Sequence, residues 1–528
     1  MLKRLYVPPD NEEPLPAKRV PTSVPLGTTL AEMNTFTALI YAWQRCMTHS
    51  DVGLAFSVAF TCRYARVNMD SLLCAMYNLS PDQVRCLFRA YCGDNLFITG
   101  PAGTGKSFIM VMIRDMLVGM GRRVARTAST GTAAINIGGS TIHSFAGIGI
   151  NEHLHSSTLT RWADDRGYVW ENFYQLATLM IDEISMLNNN QVGLVEAVAR
   201  FMRNNHREAA GGLQFIVCGD FLQLPPVKGA FAFTSEAWAR LNFRPCLLET
   251  SHRQTDPLWY NMLCQLRRGQ LDGYTQEQLL SRIVSADTAA ASDCTQLFSK
   301  RDKVQKVNEE RLALVEGTER IYFAVTDVFK LTGNPTEFVA QHQRTLRGNS
   351  VEADRYDVHF KVGQRLVLKV GAKVMIVDNN IEAGYANGTI GVVEELKDSA
   401  IDVRVEGLDK PVTVLQVEWK HVNVGKREMY SRKQFPLSLA YAITIHKAQG
   451  LGLARARTSL RRNEIFQPGQ GYVSLSRVQT LAGLQLDAFE AGAIRAHEAS
   501  LAFYRQLEEQ EQKEREHEPR FRFCMKRK

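Results

Sequence analysis

One glycine-rich segment constrains the fold of this 528-residue chain more than any other feature, and it reads Gly100-Pro101-Ala102-Gly103-Thr104-Gly105-Lys106-Ser107. An apolar run at 95–99 precedes the segment, and a helical run at 108–118 follows it. This order of strand, loop and helix is typical of a phosphate-binding loop, whose backbone N–H groups surround a triphosphate. We therefore expect Lys106 to reach the β and γ phosphates and Ser107 to bind Mg²⁺.

The composition is that of a globular protein, with 45% hydrophobic residues and a length that suits about three or four domains. The early apolar run at 52–62 is too short for a membrane span, and no hydrophobic signal region follows Met1-Leu2-Lys3-Arg4. We therefore expect no membrane partner and no secretion.

The formal charge of +8 is compatible with a nucleic-acid partner. The 10 cysteines include no Cys-x-x-Cys pair, which indicates reduced thiols rather than a zinc site or disulfides.

The composition and the hydrophobic periodicity change several times along the chain. Residues 1–27 are proline-rich and predict a flexible arm, whereas 28–78 have the apolar spacing of helices. From residue 79, short apolar strands alternate with helices, which predicts an α/β fold with parallel sheets. Closely spaced strands at 366–436 predict a small antiparallel barrel. Residues 491–528 predict a charged, solvated helix and a basic tail.

Two adjacent carboxylates, Asp182 and Glu183, end the apolar run Met180-Ile181. Ligands of parallel α/β sheets bind at the carboxyl ends of the strands. Downstream of a phosphate-binding loop, this position predicts that Asp182 holds Mg²⁺ and that Glu183 polarises the attacking water. The alternative is an acidic turn after a strand.

Two arginines are candidates for contacting the γ phosphate from a second lobe. They are Arg253, in Ser251-His252-Arg253-Gln254, and Arg477, in Ser474-Leu475-Ser476-Arg477. A cation at that position neutralises charge that develops on the transferred phosphoryl group. The alternative for either residue is a surface salt bridge.

Several longer motifs follow in a fixed order, and they are Thr130-Gly131-Thr132-Ala133-Ala134 and the segments 141–149, 219–227, 440–450 and 469–477. The second begins Thr141-Ile142-His143-Ser144-Phe145, and the fourth ends His446-Lys447-Ala448-Gln449-Gly450. Together they resemble the motifs of superfamily 1B DNA helicases. The resemblance is greatest to the petite integration frequency (PIF) branch, relatives of the RecD subunit, and it covers about 80–490.

The resemblance implies an enzyme that uses ATP and Mg²⁺ to translocate 5′ to 3′ on single-stranded DNA and to unwind tailed or forked duplex. It implies that Gln83 reads adenine and that Gln223 senses the γ phosphate. It also implies a set of residues along the single-strand track, which are Thr130, His143, Ser144, Phe145, Thr444, His446 and Lys447. An aromatic such as Phe145 can support a base, although core packing is the alternative for its ring.

The same resemblance implies two RecA-like lobes, with ATP in the cleft between them. The first lobe spans 79–238 and contains a strand-separating wedge at about 147–172. The second spans 239–365 and 437–490, and an SH3-like barrel at 366–436 is inserted into it.

The chain also departs from the family pattern, most clearly at Gly452, where the family has threonine, and at Ala454-Arg455-Ala456-Arg457. These departures indicate a divergent viral or mobile-element lineage. We expect action in DNA replication, repair or recombination, with replication proteins as partners, in the nucleus or a viral replication compartment. Two other functions stay open, an RNA helicase of the same superfamily and a non-catalytic replication scaffold that binds ATP. The full set of phosphate-directed residues disfavours the scaffold.

Overall fold

The described residues all belong to one compact unit, Asp70–Lys528. The structure, a computed structural model, describes residues 79–517 apart from 131–132, 135–136, 149–166, 227, 255, 286–293, 333–338, 349, 358–359, 361, 379, 381–382, 384, 386, 407 and 424–427. The predicted arm at 1–27, the helical region at 28–78, most of the wedge and the basic tail from 518 onward lie outside the described residues.

Strands are numbered in chain order. Strands β1–β21 are Leu96–Thr99, Val124–Ala128, Ser140–Thr141, Thr178–Asp182, Gln214–Cys218, Arg244–Leu247, Thr295–Phe298, Arg320–Phe323, Val325–Thr332, Val339–Leu346, Arg365–Leu368, Lys373–Ile376, Ile390–Leu396, Ala400–Val405, Val412–Leu415, Val417–Asn423, Glu428–Gln434, Leu437–Leu439, Ala442–Thr444, Ala456–Leu460 and Leu484–Phe489.

Helices follow the same convention. Helices α1–α13 are Pro81–Cys92, Lys106–Gly119, Ile142–Ala146, Gly167–Phe173, Asn189–Met202, Glu236–Leu241, Pro257–Arg267, Gly273–Leu280, Arg301–Ala313, Val351–Asp354, Ile445–Ala448, Gln470–Leu475 and Glu498–His517.

The first sheet has six strands in the order β3-β2-β4-β5-β1-β6, and every pairing in it is parallel. The central strands β4 and β5 are short apolar runs whose residues are all buried, because helices cover both faces of such a sheet. We call the described residues of 79–250, which pack on this sheet, lobe 1.

Strand β6 corrects the predicted lobe boundary at 238. Residues Arg244 to Leu247 pair in parallel with β1 and complete the edge of the first sheet. The preceding side chains of Trp238 and Leu241 are buried in the core of that sheet. Lobe 1 therefore continues through β6, and the chain leaves it only after residue 250.

The second parallel sheet has four strands in the order β19-β7-β20-β21. Strands from distant parts of the sequence meet here, because β7 precedes and β19 follows the antiparallel region. We call the described residues of 257–313 and 440–494 lobe 2. The predicted α/β fold with parallel sheets is confirmed.

Antiparallel strands occupy the predicted segment 366–436, but they extend beyond it and belong to several sheets. One sheet has the order β15-β14-β13-β12-β18, another β10-β9-β17-β16, and a third pairs β11 with β8. Strand β10 carries mainly polar residues, so its sequence lacks the apolar alternation that marks a half-buried strand. The SH3-like barrel stays a prediction.

The C-terminal helix α13 differs from the solvated helix that its charge predicts. Tyr504, Leu507 and Glu511 on one face of α13 are buried, and the first two belong to the core of lobe 1. No helix in the described part of the chain is long and apolar enough to cross a membrane.

Candidate active site

A cleft of about 1970 Å³ brings together many of the predicted residues from both lobes. Lobe 1 contributes Lys106, which follows β1, Asp182, which ends β4, and Gln223, which follows β5. Lobe 2 contributes Lys447 and Arg477. The cleft therefore opens at the carboxyl ends of the strands of the first sheet, where parallel α/β sheets bind ligands.

The phosphate-binding loop connects the buried strand β1 to the N-terminus of α2. Gly105 lies in the left-handed region with φ 76°, and a side chain at Gly100 would come within 2.3 Å of the Leu248 carbonyl oxygen. Glycine is required at both positions. Lys106 Nζ donates to the carbonyl oxygens of Gly100 and Pro101, each at 2.9 Å, and its burial lowers its pKa.

The predicted metal ligands face each other across the start of α2. Ser107 Oγ donates to Asp182 Oδ2 at 3.3 Å, and Asp182 Oδ1 accepts from the backbone N–H of Glu183 at 2.8 Å. Burial raises the pKa of Asp182. One carboxylate and one hydroxyl beside a phosphate loop fit Mg²⁺, which takes its other ligands from phosphates and water. The described residues contain no cluster of three or more His, Cys, Asp or Glu side chains that could hold a metal without a nucleotide.

Glu183 adopts a left-handed backbone with φ 53°, an uncommon conformation for a residue with a side chain. Its Oε2 atom accepts from Gln449 Nε2 of lobe 2 at 3.0 Å. Burial raises the pKa of Glu183 to about 7, and the charge of Asp182 adds to this effect. A carboxylate with a pKa near neutrality suits a group that accepts a proton from water.

The two predicted arginines occupy different environments. Arg477 is fully buried, and its guanidinium donates to the carbonyl oxygens of Val473 at 2.8 Å and Ala448 at 3.3 Å. Burial lowers its pKa to about 9, which leaves it charged at neutral pH. Arg253 Nη2 donates to the Gly450 carbonyl oxygen at 2.9 Å. Its Nη1 atom is buried without a hydrogen-bond partner among the described residues.

Comparison with known proteins decides the family. Residues 83–256 match the family model described as PIF1-like helicase. The ATP-dependent DNA helicase PIF1 of Danio rerio is 36% identical over 442 residues, which cover 81% of this chain and 64% of that relative. The ATP-dependent DNA helicase Pif1 of Bdellovibrio bacteriovorus is 31% identical over 435 residues, which cover 81% of this chain and 92% of that relative. The chain belongs to the PIF1-like helicase family.

Solved structures of the PIF1-like helicase family agree with this assignment. The crystal structure of Pif1 helicase from Candida albicans has a TM-score of 0.67 and 30% identity, covering 81% of this chain and 99% of that one. Pif1 helicase from Bacteroides in complex with ADP-AlF3 and single-stranded DNA has a TM-score of 0.58 and 27% identity, covering 82% and 98%. The chain spans less than two thirds of several curated relatives, 64% of the Danio rerio and 65% of the Xenopus laevis protein.

The PIF1-like resemblance assigns Gln83 to adenine recognition, and the structure places it beside the phosphate loop. Gln83 Oε1 accepts from the Ser80 N–H at 3.1 Å as part of the N-terminal cap of α1. Its Nε2 atom lies 3.4 Å from His252 Nε2. The cap holds the amide in a fixed direction toward His252 and Gly105.

The residues assigned to the DNA track by the PIF1-like resemblance fall into two groups. Thr130, Thr444, His446 and Lys447 line the cleft, whereas the residues of α3 do not. Within the second group, His143 is partly buried and burial lowers its pKa, and Ser144 is exposed. The Phe145 ring lies 5.2 Å from the buried Phe173 ring, as in core packing.

Sequence reasoning missed three residues of this PIF1-like site. Gln449 Nε2 contacts Glu183 and also Gln223 Oε1 at 3.3 Å. Arg267 of α7 donates to Asp220 through Nε at 3.0 Å and Nη2 at 2.8 Å. Burial alone would raise the pKa of Asp220, but the charge and hydrogen bonds of Arg267 outweigh it and lower the pKa. Gln449 and Asp220 lie inside the quoted motifs, whereas nothing in the sequence around Arg267 marks it.

Proposed function

We propose that this protein is an ATP-dependent DNA helicase. It translocates 5′ to 3′ on single-stranded DNA and unwinds tailed or forked duplex during replication, repair or recombination. The observation that carries the proposal is the cleft, in which Lys106 and Glu183 of lobe 1 lie opposite Lys447 and Gln449 of lobe 2. A site built from two lobes can change shape when a nucleotide is bound or hydrolysed.

Four residues of lobe 1, together with Arg253, have separate parts in the proposed hydrolysis. Lys106 neutralises the β and γ phosphates, and Ser107 and Asp182 would hold Mg²⁺, which would supply further charge neutralisation. Glu183 orients the attacking water and accepts its proton. Arg253, whose Nη1 atom has no hydrogen-bond partner among the described residues, neutralises the charge that develops on the γ phosphoryl group.

Helix α11 supports coupling between hydrolysis and DNA movement. Thr444 is the N-cap of α11 and Gln449 is its C-cap. Lys447 on the same short helix is exposed to the cleft. The residues proposed to hold DNA phosphates and the amide that contacts Glu183 and Gln223 therefore move as one body. Rearrangement around the γ phosphate shifts Thr444 and Lys447 relative to Thr130 of lobe 1.

Relatives support the choice of nucleic acid. The Danio rerio relative is named an ATP-dependent DNA helicase, and the Bacteroides Pif1 structure holds ADP-AlF3 and single-stranded DNA. Among phosphate contacts, hydroxyls, backbone N–H groups and lysine position a strand without reading its sequence. We further propose that the protein acts in the nucleus or a viral replication compartment, which fluorescence microscopy of the tagged chain tests.

The test is ATP turnover by the full chain with Mg²⁺, measured alone and with matched single-stranded DNA or RNA oligonucleotides. We expect DNA to stimulate turnover by about 10-fold or more, which corresponds to about 1.4 kcal/mol or more off the activation barrier. Greater stimulation by RNA would favour an RNA helicase. Absence of turnover despite ATP binding would indicate the non-catalytic scaffold.

A further inference from the structure

The C-terminal helix α13 contacts both lobes. The chain enters α13 from lobe 2, whose last strand is β21, and one face of α13 packs into lobe 1. The buried residues Ser500, Tyr504, Leu507 and Glu511 recur at intervals of four and three, the spacing of one helix face. Neither the nucleotide site nor the DNA track described above includes any part of α13.

The hydroxyl of Tyr504 lies between two loops of lobe 1. It is 2.5 Å from Thr99 Oγ1, the residue before the phosphate loop, and 3.1 Å from Asp220 Oδ1. The backbone N–H of Phe221 also donates to it, at 3.3 Å. Asp220 is ionised because its pKa is lowered, so it can only accept. The arrangement is satisfied when Tyr504 donates to Asp220 and accepts from Phe221 and Thr99.

Tyr504 also contacts the partner of Asp220 in lobe 2. The Arg267 guanidinium lies over the Tyr504 ring, 4.6 Å from its centroid. The ion pair of Arg267 and Asp220 is buried at both ends, and Gln223 Nε2 donates to the same carboxylate at 3.2 Å. Tyr504 thus fixes the carboxylate that orients Gln223 and the cation that crosses between lobes.

Ion pairs anchor α13 further along its length. Glu511 accepts from Arg85 Nη1 at 2.7 Å and from Arg89 Nη1 at 3.1 Å, and both arginines belong to α1 of lobe 1. The buried Arg89 also pairs with Glu514 at 2.9 Å. These contacts hold the helix on lobe 1, so α13 cannot move away from Asp220 as a body without breaking buried pairs.

We propose that Tyr504 is a positioning residue for the coupling between ATP hydrolysis and DNA movement. Helix α13 holds Tyr504 beside Asp220. This inference rests on the proposed function. By holding the Asp220 carboxylate, the hydroxyl sets the direction of the Gln223 amide and the position of the Arg267 guanidinium. Loss of the hydroxyl leaves the nucleotide contacts of Lys106 and Ser107 in place but loosens the connection to lobe 2.

The test compares turnover with and without single-stranded DNA for the wild type and Tyr504→Phe, which keeps the ring under Arg267. We expect basal turnover and the KM for ATP to change by no more than about twofold, whereas the stimulation ratio falls about fivefold. Tyr504→Leu, which also removes the ring, should lower the ratio further. In a Gln223→Ala background, Tyr504→Phe should cause no additional loss, because both act on one connection.

Leu507→Ala is the matched control, because Leu507 is buried on the same helix but takes no part in the hydroxyl network. It should lower the melting temperature and leave the stimulation ratio unchanged. An unchanged ratio in both Tyr504 variants, or a loss that adds fully to that of Gln223→Ala, overturns the positioning role. A wild type without any stimulation by DNA contradicts the proposed function itself, and the inference falls with it.

Discussion

The side-chain amide of Gln449 lies 3.0 Å from the carboxylate of Glu183, although the two residues belong to different lobes. The same amide nitrogen lies 3.3 Å from Gln223 Oε1. The Oε1 atom of Gln449 is buried and has no hydrogen-bond partner among the described residues. One glutamine of lobe 2 therefore contacts two of the lobe 1 residues that are proposed to act at the γ phosphate.

Replacing Gln449 by alanine should uncouple the two lobes. We expect DNA-stimulated kcat to fall by about 10-fold or more while the KM for ATP changes little, because the contact matters most near the transition state. Steady-state turnover measures both. Gln305→Ala is the matched control, since Gln305 lines the same cleft but bonds to Glu309 on its own helix. Equal losses in the two variants would contradict the role of Gln449.

Replacement of Lys106 and of Lys447 by alanine should have opposite effects on turnover and on DNA binding. Lys106→Ala should abolish turnover yet retain DNA binding, because it removes the cation at the phosphates. Lys447→Ala should retain basal turnover, weaken DNA binding and reduce the slope of log affinity against log salt by about one. Phosphate release and fluorescence anisotropy at several salt concentrations separate them. Near-normal hydrolysis by Lys106→Ala would remove this loop from catalysis.

The two arginines should differ in their effect on stability. Arg253→Ala should lower kcat by about 100-fold or more, with little change in melting temperature. Arg477→Ala should lower both, because its buried guanidinium satisfies several carbonyl oxygens whose loss of partners is costly. Arg477→Lys tests the charge at reduced structural cost. Unchanged turnover in Arg253→Ala would return Arg253 to a structural role.

Glu183 should make the protein less stable at higher pH. The pKa of Glu183 rises from 4.5 to about 7 on folding, so the folded state binds more protons in that window and stability falls as pH rises through it. Because the side chain is only partly buried, we expect Glu183→Gln to gain about 1 kcal/mol at pH about 8 and nothing at pH about 4.5. Urea unfolding without nucleotide or Mg²⁺ measures this, and an equal gain at both pH values would contradict it.

The sequence was most informative where an apolar run is followed directly by residues that can bind phosphate or metal. The apolar runs before Gly100 and Asp182 predict buried parallel strands, and the glycine-rich and acidic residues after them meet at one sheet edge as expected. The predicted end of lobe 1 at residue 238 left out strand β6, because the pairing of β6 with β1 is a long-range contact that has no local sequence signal. Strand β10 was not predicted because its residues are mostly polar.

Arg267 of the site and Tyr504 outside it carry no sequence signal, and each contacts a partner far along the chain. Arg267 pairs with Asp220, and Tyr504 bonds to Thr99, 405 positions away. The charge of α13 predicts a solvated surface, but the ion pairs of Glu511 with Arg85 and Arg89 bury part of that charge. Composition alone does not separate a charged exposed helix from one whose charges are paired.

Unwinding of tailed duplexes tests the central claim most directly. The full chain, ATP and Mg²⁺ are mixed with a DNA duplex that carries either a 5′ or a 3′ single-stranded tail, and strand separation is followed by fluorescence, with Lys106→Ala as the inactive control. We expect rapid unwinding from the 5′ tail and none from the 3′ tail. Robust unwinding from the 3′ tail alone would overturn the polarity, and DNA-independent hydrolysis without unwinding of either duplex would contradict the helicase function itself.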